Sequence, residues 1–410
     1  MDKAKIKSTL KTEIEEFLSA FKKNDVERDD ALVILDKDHF IPLSQIEWDL
    51  FYSPIKFMLD QKEIFEKYSD VFIESEFLCL YRKMLFKNGS SSTITIDDSN
   101  IDTYIENLIN KLLNSSEKTF CIISEVENIE VRDDKEYKII DSTIKIMRQE
   151  NLPYEDKKFQ QFSEDLIEKL VILTKVQAGD FDRAKELAFY NFNVSINLFR
   201  LYFPYSKPII KGYLAEESQH LIGYSEENKI SYRDTTPVRD LPFYFDYLDD
   251  KKYRELIDVG ITALEKDSSI SKVVKDSLYW FGLGLDEEYP TAKLVDFTLV
   301  LESVLKKKNE RTELRRTIAE RGAILLFNTF EERKNAVKDL IKIYDMRSKV
   351  VHTGTTIENK NIVSTAEEYA SKVTKKLIAK SEEFNGDFDK FIDYLDDTKL
   401  RGINDVWVHS

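Results

Sequence analysis

After the Pro237–Pro242 stretch the chain reads as one helix after another almost to its end, and this constrains the fold more than any other feature. Apolar residues recur there at three- and four-residue steps, which marks candidate helices over Lys251–Glu265, Ser271–Gly282, Pro290–Lys307, Thr312–Phe327, Glu331–Val351 and Asn361–Phe384. Pro290 suits a first helical turn, and Gly354 falls where a left-handed stop is favoured. Such helices bury their apolar stripes against one another, so an all-α region is expected.

The preceding residues are more mixed. Ile6, Leu10, Ile14, Phe17, Leu18 and Phe21 stand at helical spacing, and the aromatic-rich stretch from Leu43 to Phe86 has no Gly or Pro after Pro54. The run Asn88-Gly89-Ser90-Ser91-Ser92 breaks it. Thr119–Glu127 and Glu136–Met147 are β-branched runs joined by Arg132–Lys135 and are expected to pair as strands. Ser163–Gln177 fits strand or helix. Asp180–Phe203 reads as a helix opened by an Asp cap, and Ile209–Arg233 as short strands around Gly212 and Gly223. The expected fold class is therefore α+β, an N-terminal helical and mixed α/β region followed by an all-α bundle. The expected divisions are 1–90, 91–240 and 241–410. No internal repeat or low-complexity tail interrupts them.

Composition narrows the functional classes. With 42% apolar and 12% aromatic residues, the 410-residue chain can bury a sizeable core in two or three domains. Cys79 and Cys121 lack CxxC spacing, which fits a reducing compartment and no cysteine-rich metal site. The first residues hold no apolar stretch before their acidic ones, so no secretory signal is expected, and no run has the length of a membrane span. A cytoplasmic location is the expectation. A net charge of −15 argues against general polyanion binding.

Histidine is scarce: His39, His220, His352 and His409. His352 stands out by its neighbours, Tyr344-Asp345-Met346-Arg347-Ser348-Lys349-Val350-Val351-His352-Thr353-Gly354. Val337, Leu340, Ile341, Tyr344 and Val351 share one helical face, with Arg347 and His352 about 140° apart at its flanks and Ser348 between them. An Arg with a His suits metal-free RNA cleavage. The His moves protons on and off the reacting oxygens, while the guanidinium offsets charge growing on phosphate. The same two residue types near a helix C-terminus also cap carbonyls and favour the dipole.

Three blocks in order carry a wider resemblance: Phe297–Leu305, Ile318–Leu326 and Ile343–His352. Over about Asp276–Glu383, a quarter of the chain, the sequence resembles the ApeA-like HEPN domain, a branch of the HEPN ribonuclease superfamily of bacterial antiphage and toxin systems. Thr353 stands where many relatives have Gly at once. The resemblance implies an all-helical domain that dimerises to bring two RxxxxH motifs into one site, with Arg347 and His352 catalytic and no metal or other cofactor. Ser348, Lys349, Arg315, Arg316 and Arg321 are the candidate substrate contacts. The implied activity is an endoribonuclease of antiphage defence or abortive infection, acting on RNA as a homodimer, away from membranes, under a phage-derived trigger or an antitoxin. The alternatives are a non-catalytic module that binds RNA or protein, and the toxin half of a toxin–antitoxin pair.

Local charge fits phosphate binding. Residues 301–352 hold thirteen Lys and Arg against eight Asp and Glu, or +5, which leaves −20 for the remainder. Glu302 and Arg321 sit in apolar runs and are expected to pair with each other between their helices. Glu136-Tyr137-Lys138 matches the ExK of metal nucleases, which needs a further carboxylate such as Asp97, Asp98 or Asp102. Gly282-Leu283-Gly284 lacks the third glycine of a dinucleotide site, and Trp48, Trp280 and Trp407 are expected to pack.

Overall fold

The computed structural model describes residues 2–23, 31–34, 40–86, 100–114, 116–127, 129–130, 137–140, 144–148, 170–203, 209–211, 223–224, 230–231, 243–244, 251–357 and 360–401. The break at Asn88–Ser92, the Arg132–Lys135 connection, Asp97, Asp98, Glu136, Gly212, Trp407 and three of the four histidines lie outside these residues. The fold is α+β and divides into two compact units, Met1–Ile122 with Lys175–Ala188, and Ile123–Thr174 with Phe189–Ser410. Among the described residues no helix is long and apolar enough to cross a membrane.

In the first unit, α1 (Lys3–Lys23) buries all six apolar residues of its expected stripe. A hairpin of β1 (Ala31–Ile34) and β2 (Phe40–Leu43) leads to α2 (Gln45–Leu59), which opens in a Ser44–Glu47 capping box and contains Pro54. The short α3 (Lys62–Phe65) and α4 (Asp70–Leu85) follow. Phe17, Phe51 and Tyr81 pack ring on ring at 4.4–5.4 Å, and the buried Tyr81 hydroxyl donates to the Phe51 carbonyl at 3.0 Å.

The helical N-terminal part does not stop at residue 90. In α5 (Ile101–Asn114), Ile101, Ile105, Leu108, Ile109 and Leu112 join the same core, and Lys7 and Lys11 pair with Glu106 and Asp102 at 3.0 and 2.7 Å. A polar run therefore interrupts the chain without ending the core. Asp180 caps α6 (Phe181–Tyr202) by accepting from the Arg183 amide at 2.9 Å, as its position in the sequence predicts. Its carboxylate also accepts both donors of Ser69, the cap of α4, at 2.8 and 2.9 Å.

The strands are β3 (Lys118–Glu127), β4 (Ile129–Glu130), β5 (Tyr137–Ile140), β6 (Ile144–Arg148), β7 (Leu170–Ala178) and β8 (Ile209–Lys211). Five of them form a sheet in the order β5-β6-β7-β3-β8. Short strands β9 (Gly223–Tyr224), β10 (Ile230–Ser231) and β11 (Phe243–Tyr244) follow; β9 pairs with β10, and β11 runs parallel to β4. The expected pairing of 119–127 with 136–147 is corrected here. The second run folds on itself as the β5–β6 hairpin, and the neighbours of β3 are β7 and β8. The ambiguous 163–177 segment is strand from Leu170 on.

Residues 251–401 carry seven helices among the described residues: α7 (Lys251–Glu265), α8 (Ser269–Asp286), α9 (Pro290–Leu305), α10 (Leu314–Leu326), α11 (Phe330–Thr353), α12 (Lys360–Lys380) and α13 (Phe388–Arg401). Pro290 is at the first turn of α9, as expected. Helix α9 is the axis of the bundle, packed against α8, α10, α11 and α12 and buried at Leu294, Phe297, Val300, Leu301, Val304 and Leu305. Helices α10 and α11 approach closely because position 322 is glycine: a Cβ there would lie 2.8 Å from Leu340. Gly282 and Gly284 fall inside α8, so they form no phosphate-binding turn. Helix α13 lies beyond the expected elements; Phe388, Phe391, Ile392 and Leu395 anchor it.

Candidate active site at the end of helix α11

Helix α11 is 24 residues long, opens in a Thr329–Glu332 capping box and closes on Gly354 in the left-handed conformation, φ 64°. Its fully buried row is Ala336, Leu340, Ile343 and Val350. Arg347 stands in that row, four residues after Ile343 and three before Val350. Of the apolar face expected from sequence, Leu340 belongs to this buried row and the other four residues to a second row beside it. Val337, Ile341, Tyr344 and Ser348 are half-buried there, and Val351 is 50% exposed. Both rows satisfy helical spacing, and the contacts with α9 and α10 select which one is covered.

Arg347 is inside the bundle yet nearly unpaired. Its side chain is 23% exposed, and its Nε is buried with no hydrogen-bond partner. The nearest carboxylate oxygen, Glu302 Oε1 on α9, is 3.8 Å from Nη2. That oxygen already accepts from the Tyr344 hydroxyl at 3.0 Å, and the guanidinium carbon lies 5.9 Å from the Tyr344 ring centre. Burial, and then the Glu302 charge and hydrogen bond, push the Tyr344 hydroxyl up to about 12, so it stays a donor at neutral pH.

His352 sits exposed in the last turn of α11, and its side chain has no hydrogen-bond partner among the described residues. Neither member of the pair caps the helix end. The Lys349 carbonyl accepts from the Thr353 hydroxyl at 2.6 Å, and the Val350 carbonyl accepts from the Gly354 amide at 3.0 Å. The capping explanation of Arg347 and His352 therefore has no hydrogen bond behind it.

The other expected contacts separate. Ser348 is half-buried and Lys349 exposed on the same last turns. Arg315 reaches α11 through an exposed 2.7 Å pair with Asp345, whereas Arg316 turns to Glu320, which also pairs with Lys399 of α13. Arg321 is not a surface residue. It is 4% exposed, and all five of its N–H donors are used, on the Leu305 carbonyl and on both oxygens of Glu310 and Asp396 at 2.7–3.2 Å. The expected Glu302–Arg321 pair is corrected accordingly. Arg321 is a buried ion-pair residue, but its partners are Glu310 and Asp396, while Glu302 serves Tyr344 and Arg347. A carboxylate in an apolar helix signals a buried cation; the sequence does not say which one. Asp102, a candidate for the ExK site, is held by Lys11, and the described residues contain no group of three metal-ligating side chains.

No protein-family model matches the chain, and comparison with curated proteins and with solved structures finds no match to either. What the fold and the site define is an α+β protein whose helical bundle presents an Arg and a His on the last turns of one long helix.

Proposed function

We propose that the chain is a metal-independent endoribonuclease that works as a homodimer of its C-terminal HEPN-like bundle. The observation that carries this reading is the unspent guanidinium of Arg347. Two other arginines buried in the same unit are saturated or tightly paired: Arg321 as above, and Arg200 through hydrogen bonds to Asp286 at 2.8 and 2.9 Å and to Asn197 at 3.1 Å. A buried donor left without a partner is costly, and α11 has two, Arg333 Nη2 and Arg347 Nε. Arg333 still donates its Nε to the Phe327 carbonyl at 2.7 Å, whereas Arg347 makes no hydrogen bond among the described residues, which points to a ligand supplied from outside. A phosphodiester, anionic and planar-forked at its two free oxygens, is the natural match for guanidinium.

In the reaction, the 2′-oxygen of RNA attacks the adjacent phosphorus and the bond to the 5′-oxygen breaks. The 2′-hydroxyl proton leaves and the departing 5′-oxygen gains one, which gives a 2′,3′-cyclic phosphate and a 5′-hydroxyl. An imidazole at His352 can take the first proton or give the second, and Arg347 offsets the charge on the phosphoryl oxygens. On one α11 the two groups project about 140° apart and about 7.5 Å along the axis. A two-fold partner laid along Val337, Ile341, Tyr344, Ser348 and Val351 brings the Arg and His of two chains around one phosphate. Ser348 in mid-row permits close helix approach. On this reading the enzyme serves antiphage defence, held in check by its N-terminal half until a trigger or loss of an antitoxin releases it.

The test is cleavage of single-stranded RNA by the full chain. Arg347→Ala and His352→Ala each abolish cleavage while thermal unfolding stays as in wild type. Cleavage at the wild-type rate by His352→Ala overturns the assignment of His352, and RNA binding with no cleavage by wild type leaves a module that binds without cutting.

A further inference from the structure

The Tyr344 hydroxyl and the Arg347 guanidinium converge on one atom, Glu302 Oε1, at 3.0 and 3.8 Å. Charge-assisted Arg–carboxylate hydrogen bonds settle near 2.7–2.9 Å, and two buried arginines of this unit reach that range. Arg321 is 2.7 Å from Glu310 and 2.8 Å from Asp396, and Arg200 is 2.8 Å from Asp286. Of these three, Arg347 alone has a facing carboxylate that stops roughly 1 Å short of the usual contact. At this pair the oxygen nearest the guanidinium also accepts from a tyrosine hydroxyl, where the Glu310 oxygen that meets Arg321 accepts from the Lys307 backbone amide.

We propose that Tyr344 is a positioning residue that holds Glu302 off Arg347, so that the guanidinium stays open to a phosphodiester of single-stranded RNA. The inference rests on the reading that Arg347 meets the RNA backbone. The parts act in sequence. Glu302, only 16% exposed, supplies the negative charge that draws Arg347 into the bundle. The Tyr344 hydroxyl takes up the near oxygen, and its ring lies beside the guanidinium as a wall. The result is a cation attracted but not neutralised by contact, with the Nε–H edge unpaired. Without the hydroxyl, the carboxylate is free to close on the guanidinium and compete with phosphate for the same donors.

Loss of a hydroxyl from the wall should therefore weaken phosphate binding, and neutralising the carboxylate should restore it. The probe is a fluorescein-labelled 2′-O-methyl single-stranded RNA, which lacks the attacking hydroxyl and cannot be cut, titrated with the full chain by fluorescence anisotropy. Tyr344→Phe is expected to weaken binding about tenfold, the factor one charge-assisted hydrogen bond supplies. Glu302→Gln with Tyr344→Phe is expected to return affinity to within about twofold of wild type, and Arg347→Ala to remove both the binding and its dependence on residue 344. Thermal unfolding of each variant confirms that the fold is kept. Unchanged affinity in Tyr344→Phe overturns the inference. So does a loss that the Glu302 change fails to rescue, because a merely structural hydroxyl is not replaced by a neutral partner. Wild-type binding indifferent to Arg347→Ala overturns the inference together with the reading of the site. Arg347-dependent binding with no cleavage of the unmodified RNA removes the nuclease reading and leaves the role of Tyr344 standing.

Discussion

Arginines inside this bundle are held in two opposite ways, and the difference is measurable residue by residue. Arg321 ties the end of α9, through the Leu305 carbonyl, to Glu310 and to Asp396 of α13. Arg321→Ala removes the buried guanidinium that Glu310 and Asp396 share and should cost about 3 kcal/mol of stability in urea unfolding. An unshifted midpoint contradicts this account of the network. Arg347, with no hydrogen bond to lose, should tolerate truncation with far less effect. Sequence reasoning placed Arg347, Ser348, Lys349 and His352 on one helix end because four consecutive turns fix their order and azimuth. The buried ion-pair character of Arg321 is legible in the sequence, while the partners of Arg321 and of Glu302 are not, for a physical reason. Which of two helices presents a cation to a buried carboxylate depends on how the helices are rotated, and periodicity leaves that rotation open by one row.

Among the elements, α8 and α9 meet at a titratable junction. Asp296 of α9 has its carboxyl pushed up to about 6, first by burial and then by the charge of Glu287 at the end of α8. A carboxyl raised in the folded state favours the protonated form. Its contribution is present below the unfolded value near 4 and is lost as pH rises through about 6. Asp296→Asn removes the titration, so the stability advantage of the variant over wild type should grow between pH 4 and pH 7 in urea unfolding. A constant difference across that range contradicts the assignment. The helices of the bundle were legible because caps and stripes agree locally, down to Pro290 and Gly354. The β5–β6 hairpin was not, since strand partners are chosen by long-range contacts. Helix α13 opens after Asn385-Gly386-Asp387, whose turn chemistry was a usable signal.

At the scale of the whole molecule, the charge of −15 conceals a +5 segment over residues 301–352 in a −20 remainder. An acidic chain with one basic region favours selective contact with RNA over general polyanion binding. The half-buried row of α11 gives the proposed two-fold contact a definite test. Val351 is 50% exposed on that row, so Val351→Asp should turn a sedimenting dimer into a monomer and abolish cleavage with little change in thermal unfolding. A monomer in wild type at concentrations where RNA is cut contradicts a shared site. The central claim, that Arg347 and His352 cleave RNA without a metal, is tested most directly by the chemistry of the product ends. Wild-type full chain is incubated with single-stranded RNA in excess EDTA, beside His352→Ala, and the 3′ ends are analysed. The account predicts 2′,3′-cyclic phosphate and 5′-hydroxyl ends from wild type in EDTA and none from the variant. Cleavage that vanishes in EDTA, or that leaves 3′-hydroxyl and 5′-phosphate ends, contradicts it.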